Sequence, residues 1–147
     1  MKFYKTPKIL IDLFPDVIWK SKNNDVLLTI DDSPTPKGTE KVLKTLQSKN
    51  IKALFFVVGN QAEKHKEIVK MINSAGHLIG NHSYNHKSLL FESSKNIADE
   101  INANSNLIEK IIEQKPIYFR PPFGRFNFFN NRLLEKLNNK CVMWDVF

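Results

Sequence analysis

Two adjacent carboxylates and two closely spaced histidines are the residues of this sequence best suited to holding a metal ion. Asp31 and Asp32 follow a short apolar run, and neighbouring carboxylates repel each other unless a cation neutralises them. His82 and His86 are four residues apart, so they point the same way if the backbone between them is helical or tightly turned. Asp-Asp-Ser-Pro is also ordinary turn chemistry, and the histidines also suit an exposed polar loop. Each pair alone leaves both interpretations open.

A third segment, Arg-Pro-Pro-Phe-Gly at residues 120–124, has the composition of a rigid loop. Its two prolines stiffen the chain, and Gly124 permits an unusual turn. Arg120 is able to pair with a carboxylate across the end of the sheet, and a rigid loop can aim a backbone N–H at a developing oxyanion. The alternative is a purely structural turn.

The three segments are more specific together because each directly follows a predicted strand. The carboxyl ends of parallel strands meet at one end of the sheet, where α/β folds gather their active-site groups. Two histidines and one aspartate supply three ligands, the number with which a catalytic zinc site leaves a position for water. The second aspartate is then free to act as a base.

Apolar runs that alternate with helical patterns predict the elements that position these segments. Strands are predicted at residues 26–30, 53–58, 78–79, 117–119 and 141–147, and helices at 38–49, 62–75, 94–114 and 127–138. The strands lack polar alternation, which favours a parallel α/β sheet covered by helices. An open doubly wound sheet and part of a barrel both fit this order. The first 24 residues are predicted to form an irregular leader.

Length and composition limit the class of protein. The 147 residues suit one domain, and 41% are hydrophobic and 25% charged, as in ordinary globular proteins. The net charge of +7 comes with scattered lysines, so we expect a solvated basic surface and no nucleic-acid partner. The single cysteine, Cys141, lies in an apolar run and excludes an internal disulfide.

Signals for membranes and export are weak. No apolar stretch approaches the roughly 18 residues that a membrane span needs. The N-terminus has lysines followed by an apolar run, but Asp12 and Pro15 interrupt that run too early for a convincing signal peptide. Location in the cell envelope or in the cytoplasm therefore stays open.

Residues 31–34, 82–86 and 120–124 resemble the first three motifs of the polysaccharide deacetylase family, or NodB-homology family, and occur in the family's order. The stretches between them agree, since residues 53–59 resemble the family's second strand. Residues 142–146 resemble the strand that leads into its fourth motif. The resemblance runs from about residue 26 to the last residue.

The resemblance implies a fold and a domain boundary. The fold is a distorted (β/α) barrel, of which this sequence is expected to supply the N-terminal part, stopping before the last strands. Residues 1–24 are expected to form a leader packed on the domain, and residues 25–147 the NodB-homology domain.

The resemblance also implies a metal centre. Asp32, His82 and His86 match the family's metal ligands, and Zn²⁺ is the expected divalent ion. Ser33 stands where the family usually has glycine, which is tolerable if the turn keeps a negative φ at that position.

Three further residues match the family's catalytic groups. Asp31 matches the catalytic base, and Arg120 matches the residue that orients that base. Phe123 falls where the family often has tyrosine, whose backbone N–H helps to bind the oxyanion. Since only the backbone is needed there, loss of the tyrosine hydroxyl should matter little.

The activity implied by the resemblance is hydrolysis of acetyl groups from N-acetylated, or O-acetylated, sugars of a polymer or oligomer. The family's fifth motif supplies a general-acid histidine, which neither His65 nor His77 matches. We therefore expect this length of chain to lack the group that protonates the leaving amine. The alternative is an inactive fragment or relative that serves only as a glycan-binding module. The oligomeric state is not predicted.

Overall fold

The structure, a computed structural model, describes residues 6–21, 25–127 and 131–144. Its elements alternate between helices and strands. In chain order they are α1 (Lys8–Leu13), β1 (Leu28–Ser33), α2 (Pro36–Ser48), β2 (Ala53–Val57), α3 (Gly59–Lys64), α4 (Lys66–Ser74), β3 (Leu78–Asn81), α5 (Ser94–Ile112), β4 (Tyr118–Phe119), α6 (Asn131–Lys136) and β5 (Lys140–Cys141). A 3₁₀ turn, Pro122–Gly124, follows β4. Among the helices that are described, none combines the length and apolar character that crossing a bilayer requires.

The five strands form one parallel sheet in the order β1-β2-β3-β4-β5. Each new strand is added on the same side of the one before it, whereas a doubly wound sheet reverses its order at a switch point. Sequential addition is the arrangement of a (β/α) barrel. Of the two architectures that fit the pattern of strands and helices, the sheet order therefore favours the barrel that the resemblance implied.

The strand β2 lies at the centre of the core and is buried on both faces. Phe55 and Val57 pack with residues of α4 and α5, while Leu54 and Phe56 pack on the other face with Val142. A strand covered on both sides needs apolar residues at every position, which explains the uninterrupted apolar run.

The helix α5 covers the sheet with a stripe of isoleucines. Ile97, Ile101 and Ile108 recur at helical spacing, and all three are fully buried. Ser93 caps the N-terminus of the helix, and its side chain accepts a hydrogen bond from the backbone N–H of Asn96. Glu113 caps the C-terminus and adopts a left-handed conformation.

The leader is more ordered than the sequence indicated. It contains α1, which packs Leu10 and Ile11 against a core cluster that includes Ile97 and Phe119, and Trp19 is buried in the same cluster. Ile18 also forms a parallel bridge with Val142, beside β5. Prediction of an irregular leader was therefore wrong for Lys8–Leu13, because short-range propensity omits these contacts with distant residues. The domain boundary at residue 25 stays a prediction.

The helix predicted at residues 62–75 is two helices in the structure. His65, with φ −131° and ψ 47°, separates α3 from α4. The apolar stripe belongs to α4 alone, which buries Ile68 and Ile72. Helix α3 starts earlier, at Gly59, where its first N–H groups bind a neighbouring loop. Tertiary contacts at that end therefore override the single helical period.

The remaining boundaries differ by a few residues from those predicted. β1 starts later than residue 26 and continues through the two aspartates to Ser33. The strand predicted at 141–147 is observed as β5, Lys140–Cys141, and residues 145–147 of the predicted range lie outside the described residues. The helix predicted at 127–138 is observed as Asn131–Lys136, and residues 128–130 lie outside the described part.

Candidate metal centre

The side chains of Asp32, His82 and His86 meet at the carboxyl end of the sheet. The Asp32 Oδ1 atom lies 3.0 Å from His86 Nε2 and 3.6 Å from His82 Nε2. One ligand atom from each residue lies within 4.8 Å of the other two. Two ligands about 2.1 Å from a tetrahedral zinc ion are roughly 3.4 Å apart, so these separations suit a shared ion.

The donor set also suits a divalent metal with an open coordination position. Two imidazole nitrogens and one carboxylate oxygen are ligands that zinc accepts. His82 is fully buried, His86 is half-buried, and the Asp32 side chain is 67% exposed. The cluster is therefore fixed on its inner side and open to solvent on its outer side, as a site that admits water and substrate must be.

A bulge in β1 separates the two adjacent aspartates. Between Ile30 and Ser33 the register of β1 against β2 shifts, and Asp32 adopts φ 58°. Bulges re-aim side chains next to active sites, and aspartate tolerates a left-handed φ better than most residues do. As a result Asp32 faces the histidines while its neighbour Asp31 faces Arg120.

The orientation of His82 is set by a hydrogen bond on the far side of its ring. Its Nδ1 atom lies 2.7 Å from the backbone carbonyl oxygen of Arg120. Because a carbonyl oxygen only accepts, Nδ1 donates its hydrogen and Nε2 keeps a free lone pair directed towards Asp32. Burial lowers the pKa of His82, so the ring is neutral at neutral pH, as a metal ligand must be.

Arg120 is buried beneath the site and pairs with Asp31. Its Nη1 donates to Asp31 Oδ1 at 2.7 Å and to Thr29 Oγ1 at 2.9 Å. Its Nε donates to the Val142 carbonyl and its Nη2 to the Met143 carbonyl, both at 3.0 Å. Burial lowers the pKa of Arg120, and the charge of Asp31 opposes that shift.

Two aromatic rings enclose the Arg120 guanidinium. Its central carbon lies 4.2 Å from the centroid of Phe56 and 4.8 Å from that of Trp144. Together with the four hydrogen bonds, these rings leave the group one orientation. The Asp31 carboxylate therefore receives a fixed charged partner beside the histidine cluster.

Phe123 lies at the rim of the site and is 60% exposed. Its ring centroid lies 4.7 Å from that of His86, and its backbone has φ 58° within the 3₁₀ turn. Among the described residues, none accepts a hydrogen bond from the Phe123 backbone N–H. That group is therefore available to an oxygen atom of a bound molecule.

The two other histidines lie away from this cluster. His77 precedes β3, where its Nδ1 accepts a hydrogen bond from the Ala53 backbone N–H at the start of β2, the opposite end of the sheet. His65 separates two helices. The structure therefore brings together the six predicted site residues and leaves both of these histidines elsewhere.

Several polar residues that support the site were not predicted from the sequence. Asn81 and Asn104 are completely buried behind the histidine loop, and Thr29 helps to hold Arg120. Asn104 stands where the isoleucine stripe of α5 would have another apolar residue, three after Ile101 and four before Ile108. A polar residue inside an apolar stripe is a signal that could have found it.

The fold and the cluster define the class: a parallel α/β protein of barrel type with a candidate metal centre at the carboxyl ends of its strands. The profile of the polysaccharide deacetylase family matches residues 20–142. The chain belongs to the polysaccharide deacetylase family, and the predicted fold class and family are confirmed.

The chain is similar to known relatives and solved structures in sequence and in fold. A peptidoglycan-N-acetylglucosamine deacetylase from Bacillus cereus is 34% identical over 122 residues, which cover 83% of this chain and 44% of the relative. The crystal structure of the Bc1960 peptidoglycan N-acetylglucosamine deacetylase is 30% identical, with a TM-score of 0.86 over 95% of this chain and 65% of that one. BA3943 from Bacillus anthracis, a family 4 carbohydrate esterase pseudoenzyme, is 29% identical, with a TM-score of 0.79 over 84% of this chain and 44% of that one. The chain thus spans less than half of the Bacillus cereus relative.

Proposed function

We propose that the protein is a metal-dependent hydrolase that removes acetyl groups from N-acetylated sugars of a polysaccharide. The observation that carries this proposal is the convergence of Asp32, His82 and His86, with the Asp31–Arg120 pair beside them. Peptidoglycan is the first substrate to test, because the deacetylase relatives named above act on it. O-acetylated sugars contain a carbonyl of the same shape and are the second.

Each residue of the site has its own role in the proposed hydrolysis. Asp32, His82 and His86 would hold the ion, which when bound lowers the pKa of water towards about 7 and polarises the substrate carbonyl. Asp31 accepts the proton of the attacking water, and Arg120 fixes the direction of that carboxylate. The Phe123 backbone N–H donates to the carbonyl oxygen as negative charge develops there.

The overall reaction is a hydrolysis with no redox change. A water oxygen forms a bond to the acetyl carbon, the bond from that carbon to nitrogen breaks, and the products are acetate and a free amine. Asp31 takes one proton from the water, and the amine needs one to leave. Neither His65 nor His77 is proposed as the donor of that proton, because both lie away from the cluster.

Acetate release from peptidoglycan and from N-acetylglucosamine oligomers tests the proposal. We expect release to stop after chelation and to return with Zn²⁺. Asp31→Asn should abolish release while keeping the bound metal, because its carboxylate is not among the ligands. Asp99→Asn, an exposed residue on α5, is the matched control and should leave release unchanged. Full activity in both Asp31→Asn and His82→Ala would reject the proposal.

A non-catalytic glycan-binding module is the second candidate. It is favoured by the similarity to BA3943, which keeps the fold as a pseudoenzyme. The two candidates differ in one measurable respect: a binding module would retain N-acetylglucosamine oligomers without releasing acetate at any metal concentration. Oligomer binding together with acetate release supports the enzyme.

A further inference from the structure

The loop that joins the two histidines of the candidate centre, residues 82–86, is held from behind by a side chain of α5. Glu100 Oε2 accepts hydrogen bonds from the backbone N–H groups of Tyr84 at 3.0 Å and Asn85 at 2.8 Å. Glu100 Oε1 accepts a third, from Asn85 Nδ2 at 2.6 Å. One carboxylate thus binds both peptide groups at the middle of the loop.

We propose that Glu100 is a positioning residue that fixes the spacing of His82 and His86 and thereby the affinity of the site for its metal ion. This inference rests on the proposed metal centre. Glu100 is not one of the three clustered ligands, so it acts on them through the loop backbone.

The rest of the loop backbone is satisfied by other groups. The Ser83 N–H donates to Asn81 Oδ1, and the His86 N–H donates to Ser83 Oγ. The Ser83 carbonyl accepts from the Gly59 N–H and from Asn104 Nδ2. These contacts fix the loop where it leaves the strand β3.

The middle of the loop is held by residues of α3 and of α5. The Tyr84 carbonyl accepts from the Asn60 N–H at the start of α3, and its side-chain hydroxyl donates to Glu63. For the Tyr84 and Asn85 N–H groups, Glu100 is the only acceptor among the residues that the structure describes. Loss of Glu100 therefore leaves two adjacent donors without a partner.

The loop conformation needs such a restraint because it is strained. Ser83 and His86 have φ values of 61° and 56°, a region that side-chain-bearing residues enter only when the surroundings over-determine it. His82 has an independent anchor in the Arg120 carbonyl, and it lies in the buried interior. His86 is half-buried and follows the clamped peptides, so its position is the one that Glu100 controls.

Removal of Glu100 should leave the helix itself in place. The core contacts of α5 come from Ile97, Ile101 and Ile108, which are fully buried and untouched by the substitution. Asn104 and Asn81 also continue to join the helix to the sheet through their own hydrogen bonds. The expected defect therefore lies in the loop and not in the fold.

Zinc affinity of the whole protein, measured by competition with a chromophoric chelator, tests the proposal. Outer residues that orient ligands typically contribute 10–100-fold to metal affinity, so Glu100→Ala should weaken zinc binding by about that factor. Glu100→Gln keeps a side-chain oxygen that accepts from the Tyr84 and Asn85 N–H groups. Its NH₂ group can donate to the Asn85 side-chain oxygen if the Asn85 side-chain amide flips by about 180°. It should therefore stay within about threefold of the wild type. Glu109→Ala, an exposed glutamate on the same helix, is the matched control and should bind like the wild type.

Amide hydrogen exchange of the metal-free protein gives a second readout. In Glu100→Ala the Tyr84 and Asn85 amides should exchange faster, while the amides of β2 keep their protection. Unchanged zinc affinity in Glu100→Ala, or unchanged exchange at both amides, overturns the inference. Equal weakening in Glu100→Gln and Glu100→Ala also overturns it, since charge and not hydrogen bonding would then be responsible.

The design separates this inference from the proposed function. If the wild type binds no zinc but Glu100→Ala still speeds exchange at Tyr84 and Asn85, the metal centre is wrong and the loop restraint is right. If the wild type binds zinc and Glu100→Ala binds it equally well, the metal centre is supported and the positioning role of Glu100 is rejected.

Discussion

Replacement of Arg120 by methionine should be among the most destabilising single changes near the site. The Arg120 side chain is almost fully buried and makes four hydrogen bonds, which methionine cannot replace. Methionine still fills the space between Phe56 and Trp144, so the lost interactions are polar ones. Asp31 would lose its charged partner, and the Val142 and Met143 carbonyls would lose their donors.

The expected loss of unfolding free energy follows from the polar groups that the substitution leaves without a partner. Breaking a buried ion pair by removal of one partner costs about 3–5 kcal/mol. Each buried carbonyl left without a donor costs a further 1–3 kcal/mol, roughly. The ion-pair cost is reduced because the Asp31 side chain is one-third exposed and recovers part of its solvation. We therefore expect Arg120→Met to lower the free energy of unfolding by about 4 kcal/mol. Asp31→Asn keeps an acceptor for Nη1 but removes the counter-charge of a buried guanidinium that retains its other three hydrogen bonds, so it should cost less, about 2 kcal/mol.

Urea unfolding followed by circular dichroism measures these differences, provided that the m-value is unchanged. Arg125→Met is the matched control, because Arg125 is an exposed arginine in the same loop and should shift stability by less than about 0.5 kcal/mol. An Arg120→Met variant within 1 kcal/mol of the wild type would refute the buried network. An Asp31→Asn variant as unstable as Arg120→Met would refute the assignment of the cost to the arginine.

Three further outcomes follow from the packing and burial of single residues. Gly59→Ala would place a Cβ against the Tyr84 ring and 2.8 Å from the Tyr84 Cα, so we expect about 1–3 kcal/mol of destabilisation by thermal unfolding and weaker zinc binding. Burial raises the pKa of Cys141 to about 12, so a thiol reagent at about pH 8 should modify it only after denaturation; rapid reaction in the folded protein would contradict this burial. Burial lowers the pKa of His77, so the unfolded state binds a proton more readily and stability should fall as the pH drops through about 6.5. The fall in unfolding temperature should be smaller in His77→Gln, and an equal fall would contradict the assignment.

The parallel sheet and the end of it that carries the site could be predicted from the sequence. The apolar runs around Phe55 and Phe119 indicated strands, and the polar motifs directly after them indicated one common edge. These features are local, so composition and period reveal them. The strand and helix periods did not choose between a barrel and a doubly wound sheet, because strand order depends on pairing between distant residues. The resemblance of the motifs implied the barrel, and the observed strand order agrees with it.

The details that the sequence did not predict depend on contacts far apart in the chain. The bulge that turns Asp32 away from Asp31 is fixed on one side by Arg120, 89 residues from Asp31. The clamp on the histidine loop comes from Glu100, about 15 residues away on a helix. No local period or turn preference contains either contact, although the polar Asn104 inside an apolar stripe was a signal that α5 serves more than the core, and the sequence-based prediction did not use it.

Zinc binding by the wild type and by His86→Ala is the most direct test of the central claim that Asp32, His82 and His86 hold one ion. His65→Ala, which removes a histidine outside the cluster, is the control. We predict one zinc ion per chain in the wild type and in His65→Ala, with a large loss of affinity in His86→Ala. Equal zinc content and affinity in all three proteins would contradict the metal centre.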